Sequence, residues 1–190
     1  VAWGKTKDRR NYSWVDLDNE YAIEVIINYL IKKNHTHISY INISEKYNFA
    51  NERKSSFLKS LKLNKINFNP NYYASVKLEE PENSFEIIKK MLIKNKKISA
   101  IICSTEFSAL SAIKACNYLN YKIGKDISII TFDGALVRDL SSPPITAVSF
   151  PVKELGKRAI NILLDKNKNQ TVNYLAKSEI IERGSVHIVS

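Results

Sequence analysis

The sequence predicts an α/β domain built on a doubly wound parallel sheet, and three observations carry that prediction. Apolar, β-branched runs of strand length, chief among them residues 98–103 and 127–132, alternate along the chain with helical stripes of apolar residues. The connections between these runs are short, which suits strand–helix–strand crossovers in one layered domain. Residues 98–133 form a βαβ unit: a strand, a helix with Ala109, Ala112, Ile113, Cys116 and Leu119 along one stripe, and a strand ending on Asp133. In open parallel sheets the binding crevice lies beyond the carboxyl ends of the strands, so Ser104, Thr105, Glu106 and Asp133 stand on its expected rim.

The remaining elements follow in order. Residues 1–4 read as a short strand and 5–13 as a polar loop. Asp18 or Asn19 caps a helix carrying Ile23, Ile26, Ile27, Leu30 and Ile31, and Asn34 suits its left-handed stop. A strand is expected at 37–43, then a helix from about Asn51 with Phe57, Leu58 and Leu61 inward. A strand at 72–76 and a helix marked by Phe85, Ile88, Met91 and Leu92 lead into the βαβ unit. Beyond it Pro143 and Pro144 break the chain, 146–150 is extended, and Leu155, Ala159, Ile162 and Leu163 form another helical stripe. Closing strands are expected at 174–181 and 185–189.

With 190 residues, 44% of them hydrophobic, the chain can bury one sizeable core and is too short for two full α/β domains. It starts at Val1 rather than Met, so part of a longer chain is expected. No apolar run reaches the ~20 residues of a membrane span. Cys103 and Cys116 both fall on apolar faces and read as small core side chains in a reducing cytoplasm. The net charge of +10 is spread over many helix faces and loops, and its densest stretch, 89–97, closes one amphipathic helix where cations suit the dipole. Without a helix-turn-helix pattern, zinc spacing or aromatics interleaved with the lysines, these residues are not expected to bind nucleic acid. Five glycines, no phosphate-cradling loop, no metal spacing among His35, His37 and His187, and no base beside Cys103 argue against an enzyme, a cofactor or a metal.

Four short motifs lie in order along the second half: CSTE at 103–106, FDG at 132–134, PPITAV at 143–148 and ELGKRA at 154–159. With NERKSSF at 51–57, NHTHISYI at 34–41 and VDLDNE at 15–20, the sequence resembles the effector domain of the lactose-repressor/galactose-repressor (LacI/GalR) family of bacterial transcription regulators over nearly its whole length. That family carries CAND, FDD or FDN, PPLTTV and ELG at the corresponding places. The resemblance implies a periplasmic-binding-protein-like domain of two lobes, represented here mainly by the C-terminal one. Residues 1–16 would end the N-terminal lobe, 17–148 form the C-terminal lobe, 149–170 return to the first lobe, and 171–190 supply closing strands of the second. Most of the N-terminal lobe and the DNA-binding headpiece would lie outside these residues. It further implies a cytoplasmic homodimer, paired through the helix at 106–120 and the segment at 137–142, that takes a small effector such as a sugar. A periplasmic-type transport receptor would share the fold and cleft.

The resemblance singles out Trp3, Arg53, Thr105, Asp133 and Phe150 as ligand-facing. Asp133 corresponds to the acid that accepts hydrogen bonds from ligand hydroxyls, although Asp-Gly also suits a plain turn. Arg53 offers a bidentate fork to vicinal hydroxyls or a carboxylate, against the alternative of an exposed first-turn residue; Ser56 stands where the family has glycine. Trp3 and Phe150 can pack a sugar ring or simply a core. Thr105 and Glu106 keep an oxygen at a helix start, where capping is the competing role. Glu79, or Leu78, replaces a common aromatic, and Asp16, Asp18 and Asn19 read as hinge and cap rather than a metal site.

Overall fold

A computed structural model describes residues 1–5, 12–77, 80–132, 140–165 and 171–189. Its large sheet holds β3 (Ile38–Ile43), β4 (Tyr73–Val76), β5 (Ala100–Cys103), β6 (Ser128–Phe132), β7 (Thr146–Val148) and β9 (Ile180–Ile181) in the order β4-β3-β5-β6-β7-β9. All its pairings are parallel except β7 with β9. A small parallel sheet runs β1 (Ala2–Trp3), β2 (Trp14–Leu17), β8 (Asn173–Ala176).

Every residue of β3, β5 and β6 is buried, as a sheet covered on both faces requires. Side-chain alternation divides the core. Ile38, Tyr40, Ala100, Ile102, Ile130 and Phe132 pack with α1 (Asn19–Lys32) and α2 (Asn48–Leu63) through Ile23, Ile26, Ile27, Leu30, Phe57 and Leu61. Ile41, Ile43, Ile101, Cys103 and Ile129 pack with α3 (Pro81–Lys94) and α4 (Glu106–Tyr118) through Ile88, Met91, Leu92, Ala109, Ala112 and Cys116. Both cysteines are buried and unpaired, and burial pushes the Cys116 thiol up to about 12. Asp18 caps α1, accepting from Tyr21 N at 3.0 Å, and Asn34 takes φ 63° just after the helix.

Three expectations are corrected. First, α2 begins at Asn48, not near Asn51, with Tyr47 at its cap position and no side-chain cap bond to mark the start in the sequence. Second, the strand expected at 174–181 is two: residues 173–176 pair with β2 in the small sheet, and 180–181 pair with β7 in the large one. Third, 185–189 forms no strand. Ser185 Oγ accepts from Thr146 N at 2.8 Å and donates to Ile129 O at 2.6 Å, so a side chain takes the place of a ladder. This tail passes so close to Gly124 (φ +77°) that a Cβ there would lie 2.2 Å from Gly184 O, which demands glycine. On α5 (Val152–Leu164) Leu155, Ala159 and Ile162 pack against Val15 and Ala176, while Leu163 is 70% exposed. Among the described residues no helix is long and apolar enough to cross a membrane.

Candidate functional site

The two sheets meet at the carboxyl ends of their strands, and the side chains just past those ends enclose a cavity of about 550 Å³. Trp3, Gly4 and Lys5 follow β1; Asp16, Leu17 and Asn19 come from the end of β2 and the start of α1; residues 46–49 follow β3; Phe150 follows β7. Gly4 holds φ +91°, a left-handed turn that suits glycine. The turn is fixed from both sides. Asp16 Oδ2 accepts from Lys5 N at 2.9 Å, Asn48 Nδ2 donates to Lys5 O at 2.9 Å, and Lys5 Nζ reaches Glu52 Oε1 on α2 at 2.8 Å.

Arg53 forms part of the cavity wall. It lies on the second turn of α2 and is only 7% exposed. Its Nε donates to Asn19 Oδ1 at 2.7 Å and its Nη1 to Ser104 O at 3.2 Å, while the guanidinium lies 3.6 Å from the centre of the Phe132 ring and 5.1 Å from that of Phe49. Burial lowers its pKa to about 10, opposed by Tyr40, Asp16 and Glu52, so it is charged at neutral pH. Beneath it a buried polar chain runs into the sheet. The Tyr40 hydroxyl and Ser104 Oγ are 2.7 Å apart and both reach Asn42 Oδ1, whose amide donates to Ala50 O and Tyr73 Oη. Tyr73 donates to Glu45, which Lys54 also pairs, and these bonds hold the Glu45 carboxyl below its ordinary range. Burial raises the Tyr40 hydroxyl to about 12, so it stays neutral as a hydrogen-bonding group.

The model of the periplasmic binding protein-like domain family matches residues 27–186. The chain belongs to that family. Among relatives of this periplasmic binding protein-like domain, the HTH-type transcriptional repressor PurR of Histophilus somni (strain 2336) is 31% identical over 138 residues, covering 73% of this chain and 41% of the repressor. The structure of a transcriptional regulator CelR–cellobiose complex superposes with a TM-score of 0.88 at 17% identity, over 96% of this chain and 57% of the other. A sugar-binding transcriptional regulator of the LacI family from Escherichia coli, complexed with phosphate, gives 0.86 at 21% identity, over 98% and 68%. At those identities the two structures speak for the fold. The chain spans about half the length of the curated relatives it matches.

Of the residues singled out in the sequence, the domain brings Trp3, Arg53 and Phe150 to one cavity. Asp133, with Leu78 and Glu79, lies outside the described residues. Thr105 is not part of the cavity wall. It caps α4, its Oγ1 accepting from Ser108 N at 3.2 Å while Ser108 Oγ accepts from Thr105 N at 3.1 Å. Tyr47 and Phe49, stacked at 5.8 Å, and Asn19 were missed as wall residues. Starting α2 at Asn48 would have found Phe49, because it then stands four residues before Arg53 on the same helix face.

Proposed function

We propose that the chain is the effector-binding core of a bacterial LacI-type transcriptional regulator, taking a sugar or related small polar ligand in the cavity between its two sheets. The observation that carries this reading is the Arg53 fork set among the rings of Trp3, Tyr47, Phe49 and Phe150. Flat rings pack the apolar face of a sugar, and a guanidinium donates to paired hydroxyls. Trp3, Arg53 and Phe150 are the proposed contacts among the described residues, and Asp133, just past β6, is proposed to accept from ligand hydroxyls. A ligand gripped from both sheets favours their closed arrangement, shifting a population between two states. In the whole protein that shift acts on operator DNA through a headpiece outside these residues, in a cytoplasmic homodimer that turns nothing over. CelR, a regulator of the same fold, is described with cellobiose, which supports a saccharide.

A thermal-shift screen of the full-length protein against sugars, sugar phosphates and nucleosides tests the reading, since a ligand that binds only the folded state raises its stability. One such compound should raise the melting temperature of the unaltered protein and not that of Arg53→Ala. Equal shifts in both would put the ligand elsewhere.

A further inference from the structure

We infer that the end of the large sheet opposite the cavity binds single-stranded nucleic acid, with lysines of the helix-to-strand connections on its phosphates and one base in a second, aromatic-lined hollow. Along the sequence these lysines look dispersed. In a parallel sheet with crossover helices, however, every helix-to-strand connection lies at the amino ends of the strands, so residues far apart in the chain arrive on one face. Lys32 closes α1, Lys62 lies in the last turn of α2 and Lys65 just beyond it. Lys94 closes α3, Lys96 and Lys97 follow it, and Lys122 and Lys125 stand between α4 and β6. All of these lysines are exposed, and among the described residues none pairs with a carboxylate. The described acids of this end are engaged: Glu182 pairs with Lys33 at 2.7 Å, and Asp126 accepts from Lys122 N at 2.7 Å.

Helix dipoles account for only part of this arrangement. They favour a cation in the last turn, which covers Lys32, Lys62 and Lys94, and their effect fades beyond it. Lys65, Lys96, Lys97, Lys122 and Lys125 lie past the helix ends, where gathered like charges repel one another and an outside polyanion relieves the repulsion.

The hollow is a second, independent observation. It has a volume of about 510 Å³ and is lined by Thr36 and His37 from the α1–β3 connection and by 65–70 and Tyr72 from the α2–β4 connection. Its rings are fixed in place. His37 stands edge-on to Tyr72 with Nδ1 3.3 Å from the Tyr72 hydroxyl, and Phe68, 39% exposed, stands edge-on to the buried Phe57. Among the described residues the side chains of Thr36 and Asn67 have no hydrogen-bond partner, which leaves them for the polar edge of a base. Asn95 Nδ2 reaches Asn71 O at 3.5 Å and lays the 94–97 turn beside this segment.

The chemistry selects among polyanions. Lysine is depleted where proteins meet proteins, and it meets phosphates as a point charge without regard to sequence. An anionic bilayer takes apolar side chains that project from a surface, whereas here the rings line a concavity that a planar group can enter. A duplex keeps its bases stacked and paired, and a single strand offers one free. This face lies away from the effector cavity, and the inference does not rest on that reading.

The test is fluorescence anisotropy on the full-length protein with labelled oligouridylate, oligodeoxythymidylate and a mixed-sequence duplex of the same length, the duplex controlling for DNA binding elsewhere in the protein. A glutamate peptide and vesicles of phosphatidylglycerol with phosphatidylcholine serve as competitors. A single strand, RNA or DNA, should bind with an affinity that falls as salt rises. The combined substitutions Lys65→Gln, Lys96→Gln and Lys97→Gln should flatten the slope of log affinity against log salt by about 0.7 for each lysine. Phe68→Leu keeps an apolar chain against Phe57 and removes the ring, and it should weaken binding about fivefold to a hundredfold at unchanged slope. Duplex binding should be the same in every variant. Should Phe68→Leu fail to fold, Asn67→Asp, at an exposed position, should weaken single-strand binding in its place. Absence of single-strand binding, equal binding by the unaltered protein and the lysine variant, equal losses on the duplex, or displacement of the strand by the peptide or the vesicles at equal charge concentration overturns the inference. None of these outcomes touches the effector-binding reading.

Discussion

Arg53 is a cation that the fold buries against rings and neutral carbonyls, where the alternative sequence reading had it in solvent. Burying an ion costs more than burying an apolar chain of similar length, so the unliganded protein gains little from it. Arg53→Met should therefore leave the unliganded melting temperature unchanged or higher, while ligand affinity falls about tenfold to a hundredfold. Calorimetric titration with scanning calorimetry on the full-length protein checks both; a large loss of unliganded stability would make Arg53 a structural residue. A second buried titratable group, His35, lies away from the cavity. Its Nδ1 is 2.9 Å from Ser99 Oγ, and its Nε2 is 3.1 Å from His187 O and 3.0 Å from Ser128 Oγ. Burial lowers its pKa to about 4, and burial lowers His187 too, against the pull of Asp126. Between that value and the ordinary value of about 6.5 the unfolded chain binds more protons than the folded one. The stability from neutral His35 is thus complete above about pH 6.5 and lost as pH falls towards 4. Urea midpoints should drop between pH 7 and pH 5, less so in His35→Gln; a midpoint that rises towards pH 5 contradicts this.

At the scale of an element, Thr105 separates two roles that one position can play. Its hydroxyl is engaged with Ser108 at the start of α4, a helix that carries Ala109, Ala112 and Cys116 into the core. Loss of that cap by Thr105→Ala should cost about 1 kcal/mol of stability and leave ligand affinity unchanged. Reduced affinity at unchanged stability would restore the ligand contact implied by the family resemblance. The amphipathic stripe of α5 was legible in the sequence, but its periodicity carried no information on how narrow the underlying sheet is. Leu163 falls just past that width.

For the whole molecule, α4 turns a second apolar face outward: Phe107, Leu110 and Tyr118 are 60%, 50% and 65% exposed. Their spacing places them along one side of the helix, with Lys114 between Leu110 and Tyr118, and apolar side chains exposed in this way suit burial against a symmetry-related copy. The full-length protein should sediment as a dimer, and Leu110→Glu should shift it towards monomer at equal concentration. Ligand binding should persist, since α4 contributes nothing to the cavity wall. A mass that stays monomeric across concentration in the unaltered protein would refute the pairing.

The alternation of apolar runs and helical stripes by itself determined the α/β class, both faces of the large sheet and the strand ends from which the cavity is built. These are local properties, because side chains alternate every residue in a strand and recur every three or four in a helix. Arg53 and Phe150 were singled out by the family resemblance and not by any local period. Only the tertiary structure decided the rest. It sent 173–176 to the small sheet, stacked Arg53 on Phe132, and brought Tyr47 and Phe49 to the same cavity wall as Trp3. Strand pairing and the burial of a charge depend on partners distant in the chain, and no local period encodes which segment will arrive beside which.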